Sequence, residues 1–152
     1  MGTGLITVRR DPRLLPIGGF LRMTKINELP QILNVIRGDM SIVGPRPLVE
    51  KGVSAYPENI RNKIYESKPG ITGIGSVIFR DEEMLLSNTK MDKTDYYNKM
   101  IMPYKGELEM WYHKNKSLTV DFWIIFLTAW AIINPKTKLP FKVFKALPKR
   151  EM

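Results

Sequence analysis

The chain has 152 residues, 43% of them hydrophobic, which suits one domain, or one domain with an appendage, able to bury a core. It has no cysteine, which excludes a disulfide framework and a thiolate metal site. Lys and Arg number 24 against 15 Asp and Glu, so the net charge is +9, and the partner should be anionic: nucleic acid, anionic lipid or a phosphate-bearing substrate.

Arg9, Arg10, Asp11 and Arg13 make a secretory signal at the start unexpected. "LITVRRDPR", Leu5 to Arg13, reads as a short strand ending in an Asp-Pro turn. "RLLPIGGFLRM" follows as a short or broken helix, interrupted by Pro16 and Gly18-Gly19.

"INELPQILNVIRG" carries the clearest helical pattern, with Ile26, Leu29, Ile32, Leu33 and Ile36 on one face. Asn27 suits the N-cap, Pro30 the first turn and Gly38 the C′ position. Glu28 then stands at the positive end of the helix dipole. "MSIVGPRPLVE" reads as an apolar strand running into a turn, with a proline on each side of Arg46.

"YPENIRNKIYESKPGITGIGSVIFRDEE" reads as a short polar helix, a turn at Pro69-Gly70, then a Gly-punctuated strand through Val77, Ile78 and Phe79. "KTDYYNKMIMPYKGELEMWYHKNKSL" reads as helix, kinked or divided at Pro103. In "TVDFWIIFLTAWAIINP" the uncharged run Phe122 to Ile133 falls short of the ~20 residues a spanning helix needs. It reads as a buried core helix or one lying in a membrane interface. From Asn134 to Met152 there are six basic residues and one acidic residue. There Phe141, Val143, Phe144 and Leu147 can share a face while Lys138, Lys142, Lys145 and Lys149 stay wet, a membrane-surface pattern.

No P-loop, dinucleotide-binding glycine motif or H-E-x-x-H is present, and the lone His113 reads as structural or solvated. What remains is Glu28 at a helix N-terminus among arginines. Free N–H donors and guanidinium groups suit phosphates, and a carboxylate among them suits magnesium. The same residues also read as an ordinary cap beside a solvated basic face. Arg46, stiffened by two prolines, fits a bound anion better than a solvated surface. "KPGITG", Lys68 to Gly73, permits close backbone approach, with Thr72 as a donor to phosphate or the whole as a plain turn.

"DPRLLPIGGFLRMTKINELPQILNVIRGDMSIVGPRPL", with "KPGITG" and "YYNKMIMPYKGELEMWYHKNKSLTVDFWIIFLT" downstream, resembles the bacterial sugar transferases. These are the polyprenyl-phosphate sugar-1-phosphate transferases, or small monotopic phosphoglycosyl transferases. The resemblance runs from about Ile6 to Ile133, and "ELPQ…N…GDMS.VGPRP" is its most specific part.

The resemblance implies transfer of a sugar-1-phosphate from a UDP-sugar to undecaprenyl phosphate, with release of UMP, to begin surface polysaccharide or glycan assembly. It implies Mg2+ as cofactor and a covalent phosphosugar on an aspartate. The family's Asp-Glu pair falls on Asn27 and Glu28, its upstream arginine on Arg22, and its Pro-Arg-Pro arginine on Arg46. A later arginine falls loosely on Arg80. Glu28 would be the magnesium ligand, and Arg22, Arg46 and Arg80, with Thr72, would hold phosphates. An amide at position 27 leaves three routes: direct attack by the lipid phosphate, Glu28 as nucleophile, or an inactive relative that binds or scaffolds at the membrane.

The expected fold is α+β, helix-dominated, with a few short strands and a C-terminal membrane-interface helix. Residues 1–133 form the catalytic domain and 134–152 a basic amphipathic tail. The family's N-terminal membrane anchor is not matched, which leaves a fragment, a split gene product or a subunit whose partner chain supplies the anchor as the expectations, beside an anionic membrane surface. Nucleic acid is not expected as a partner, because no reader motif accompanies the charge. The implied location is the cytoplasmic face of the bacterial inner membrane, peripheral or monotopic. Sugar selection is expected along Gly70 to Glu83.

Overall fold

A computed structural model of the chain describes residues 30–46, 56, 58–135 and 137–149. Among these the fold is α+β and dominated by helices. The expected strand before Arg13 and the broken helix after it lie outside the described residues, as do Asn27 and its cap.

Helix α1 spans Ile32–Ile36. It stops where Gly38 takes φ 82°, a left-handed turn that glycine adopts without penalty, as the C′ assignment expected. The Asn34 carbonyl accepts from the backbone N–H groups of Asp39 and Met40, which turns the chain into β1, Ser41–Val43. Helix α2, Glu58–Tyr65, lies on the crossover to β2, Gly70–Thr72. The strands pair in parallel, Ser41 opposite Gly70 and Val43 opposite Thr72.

Three glycines let these backbones touch. A Cβ on Gly70 would collide with the backbone of Gly44 and the Thr72 carbonyl, and one on Gly73 with the Gly44 carbonyl. The sequence pattern predicts a continuing strand through Val77 to Phe79, but the chain turns into helix α3, Ile74–Ile78. Gly73 ends the extended run, and its carbonyl accepts from Val77 N–H at 3.1 Å. Ile74, Gly75, Val77 and Ile78 are all buried, so this run shows neither a strand nor a helix period.

Helix α4 spans Glu82–Asn88. Helix α5, Lys93–Tyr96, starts at Asp92, whose side chain accepts from the N–H groups of Thr94 and Asp95. A π-helical turn, Tyr97–Ile101, leads into α6, Met102–Asn115. The break expected at Pro103 is this turn. The wide i→i+5 spacing comes just before a residue that has no N–H, and Pro103 falls in the first turn of α6.

Helix α7 spans Leu118–Ile133, with the Ser117 hydroxyl accepting from Val120 N–H. Ile124, Leu127 and Ala131 form its buried stripe, and it packs on α3 and both strands. Its other side exposes Leu118, Phe122, Trp123, Ile125, Phe126, Trp130 and Ile133. Helix α8 spans Leu139–Val143.

The apolar side of the C-terminal tail corrects one expectation. Phe144 and Leu147 do not point outward to a membrane but belong to the central core with Ile74, Leu108 and Ile124. The Phe144 ring lies 5.1 Å from that of Trp111, and Tyr104 donates from its hydroxyl to the Pro148 carbonyl at 2.8 Å. An amphipathic pattern satisfies a protein core as well as a lipid surface, and here the core was nearer. Lys138, Lys142, Lys145 and Lys149 stay exposed as expected.

Candidate functional site

Of the candidate site residues, Arg22, Asn27 and Glu28 lie outside the described residues. Arg46, Thr72 and Arg80 lie within them, each in a distinct setting.

Arg46 follows β1 directly and is exposed, while Pro45 before it is buried. The Pro45 carbonyl accepts from Gly70 N–H at 2.9 Å, and the Thr72 carbonyl accepts from Gly44 N–H at 2.9 Å. The parallel pair thus joins the proline-arginine turn to the Lys68–Gly73 segment. With glycine contacts on both sides, the base of the Arg46 turn has little room to shift.

Thr72 does not present its hydroxyl to an incoming phosphate. The residue is 7% exposed, and its Oγ1 lies 2.7 Å from Oγ1 of Thr128. Thr128 directs its own proton to the Ile124 carbonyl, so Thr72 is the donor in the pair. The hydroxyl expected to bind phosphate ties β2 to α7 instead.

Arg80 is partly exposed, in the turn between α3 and α4. The turn is braced from α6. Lys105 Nζ lies 2.6 Å from Glu82 Oε2, and the same ammonium sits 5.3 Å from the Phe79 ring centroid and 5.2 Å from that of Tyr97.

Glu109 is one helical turn beyond Lys105 on α6. An added Cβ on Gly75 would lie 3.1 Å from its Oε1, so the carboxyl end turns inward onto α3. Burial pushes this carboxyl up to about 7, against the opposing pull of Lys105. Tyr56 is buried beside Gly106, and burial, then the charge of Glu109, raises its hydroxyl above the ordinary range. Burial likewise raises Tyr112, followed by its hydrogen bond to Asp121 at 2.7 Å.

None of Lys105, Glu109 or Asp121 was singled out from the sequence. The available signal was Lys105 and Glu109 at i,i+4, which reads equally well as a solvated helix pair. His113 Nε2 lies 3.6 Å from Glu66 Oε2. Among the described residues no three His, Asp or Glu gather as a metal site. A magnesium ion held by one carboxylate and substrate phosphates does not need such a cluster.

The family model described as bacterial sugar transferase matches residues 2–135. The chain belongs to the bacterial sugar transferase family. Among its relatives, an undecaprenyl-phosphate galactose phosphotransferase of Salmonella typhimurium is 34% identical over 127 residues, 84% of this chain and 23% of the relative. A UDP-glucose:undecaprenyl-phosphate glucose-1-phosphate transferase of Escherichia coli is 37% identical over 122 residues, 79% of this chain and 24% of the relative. The exopolysaccharide production protein ExoY of Sinorhizobium fredii is 34% identical over 122 residues, 80% of this chain and 46% of the relative. The chain therefore spans less than half the length of each of these three relatives.

Proposed function

We propose that this chain acts as a phosphoglycosyl transferase at a membrane surface, moving a sugar-1-phosphate from a UDP-sugar to undecaprenyl (polyprenyl) phosphate. The support for the reaction class is the family match together with relatives named for this transfer. The observation that carries it to this chain's own residues is the joining of the proline-arginine turn to the Lys68–Gly73 segment through the Pro45–Gly70 bond. These are two of the three segments that carry the resemblance, and together they hold Arg46 outward on a rigid base.

In this reading Arg22, Arg46 and Arg80 bind the diphosphate and offset charge that develops during transfer. Glu28 holds Mg2+, which when bound neutralises charge on the diphosphate. Asn27 does not act as nucleophile, because its amide nitrogen lone pair is delocalised. An oxygen of the lipid phosphate then attacks the β-phosphorus of the UDP-sugar. The bond from that phosphorus to the bridging oxygen breaks, and UMP leaves with the bond's electron pair.

The exposed apolar side of α7 is the surface we assign to the membrane. No helix among the described residues is long and apolar enough to cross one. Anionic lipid, the cytoplasmic face of the inner membrane and a partner chain carrying an anchor belong to the same proposal.

The identity of residue 27 favours a second reading, an inactive relative that binds phosphate and scaffolds assembly. UMP release from UDP-sugars, with polyprenyl phosphate and magnesium, separates the two when the native chain is compared with Asn27→Asp and Glu28→Gln. Turnover by the native chain that Glu28→Gln abolishes supports the enzyme. Activity that appears only in Asn27→Asp supports the inactive relative. Native turnover unchanged in Glu28→Gln removes Glu28 as the metal ligand.

A further inference from the structure

Lys105 holds both ends of the turn that carries Arg80. Glu82, two residues after Arg80, receives its ammonium at 2.6 Å, and the two side chains are only 14% and 25% exposed. Phe79, one residue before Arg80, lies under the same ammonium and is itself buried. Its ring meets Tyr104 edge-on at 5.6 Å, and its carbonyl accepts from Glu82 N–H at 3.1 Å. Tyr97, on the π-helical turn, supplies a second ring to the ammonium.

A lysine whose only task is solubility stays in water. Removing its charge from solvent is costly unless the partners are close and well aimed. Lys105 has such partners, and they flank one exposed-side arginine on a two-helix turn.

We propose that Lys105 is a positioning residue for Arg80. By binding Glu82 and covering Phe79, it fixes the turn between α3 and α4 and so the direction in which the Arg80 guanidinium meets a substrate phosphate. This rests on the reading of Arg80 as a phosphate ligand. The binding energy at stake is directional, since a bidentate guanidinium contact fails when the backbone beneath it swings.

The test is calorimetric binding of UDP, with magnesium, to the whole chain and its variants. Lys105→Met, Glu82→Gln and Arg80→Ala should each weaken UDP binding roughly tenfold. The double variant Lys105→Met/Arg80→Ala should bind no more weakly than Arg80→Ala, because the brace has nothing left to aim. Lys105→Arg, which keeps a cation at the brace, should stay within about threefold of the native chain.

Thermal melts run alongside, and Glu82→Gln carries the test if Lys105→Met does not fold. Additive losses in the double variant overturn the inference and leave the reading of Arg80 standing. A neutral Arg80→Ala, or no UDP binding by the native chain, overturns that reading and the inference with it.

Discussion

Glu109 shows how one buried carboxyl couples stability to pH. Its usual value of 4.5 rises to about 7 because burial on Gly75 disfavours the charged form. The folded chain therefore keeps this proton to higher pH than the unfolded chain does. Between pH 4.5 and about 7 the native state binds more protons, so stability falls as pH rises. Glu109→Gln keeps the shape and removes the ionisation. Relative to the native chain, it should gain on the order of 2–3 kcal/mol on going from pH 4.5 to pH 8. Urea unfolding at the two pH values measures this; an equal difference at both would mean that the carboxyl is solvated. Thr72 gives a second prediction at this scale. Thr72→Val removes the tie to Thr128 and should lower stability by about 1 kcal/mol in urea melts. It should leave UDP affinity within about twofold. A larger loss of affinity with unchanged stability would restore Thr72 as a phosphate donor.

The parallel pair and α7 carry the predictions that belong to whole elements. In the pair, glycine is needed for contact between backbones, since a Cβ on Gly70 has no flexible side chain to push aside. Gly70→Ala should destabilise the fold by about 2–4 kcal/mol and loosen the Arg46 turn with it. A melt close to native would show that the strands can separate without loss. Helix α7 has 16 residues, about 24 Å of helix against a hydrocarbon core of about 30 Å. It buries one stripe in the protein and exposes aromatic side chains on the other. Phe122→Ser/Phe126→Ser should weaken co-sedimentation with vesicles containing anionic lipid by about tenfold or more, with little change in the melt. Unaltered co-sedimentation would move the membrane contact away from α7.

Across the whole molecule, the legible parts were those with a stop signal or a long apolar run. Gly38 marked the end of α1, and the apolar run Phe122 to Ile133 marked α7. Residues 74–78 were not legible as helix because all but Ser76 are buried and no polar face sets a period. The tail was legible as amphipathic, but pattern alone does not say whether lipid or protein covers Phe144 and Leu147. At the candidate site, Arg46 was readable because two prolines announce its turn. Lys105 and Glu109 were not, because their roles depend on what α3 and α4 bring to them across space. The proposed activity is transfer of a sugar-1-phosphate to a polyprenyl phosphate. Its most direct test is incubation of the chain with a set of UDP-sugars labelled in the sugar, polyprenyl phosphate and magnesium, followed by analysis of the lipid fraction. Label should appear as a polyprenyl diphosphate sugar, with UMP released in equal amount. Label that stays wholly with the nucleotide, while UDP still binds, would contradict it.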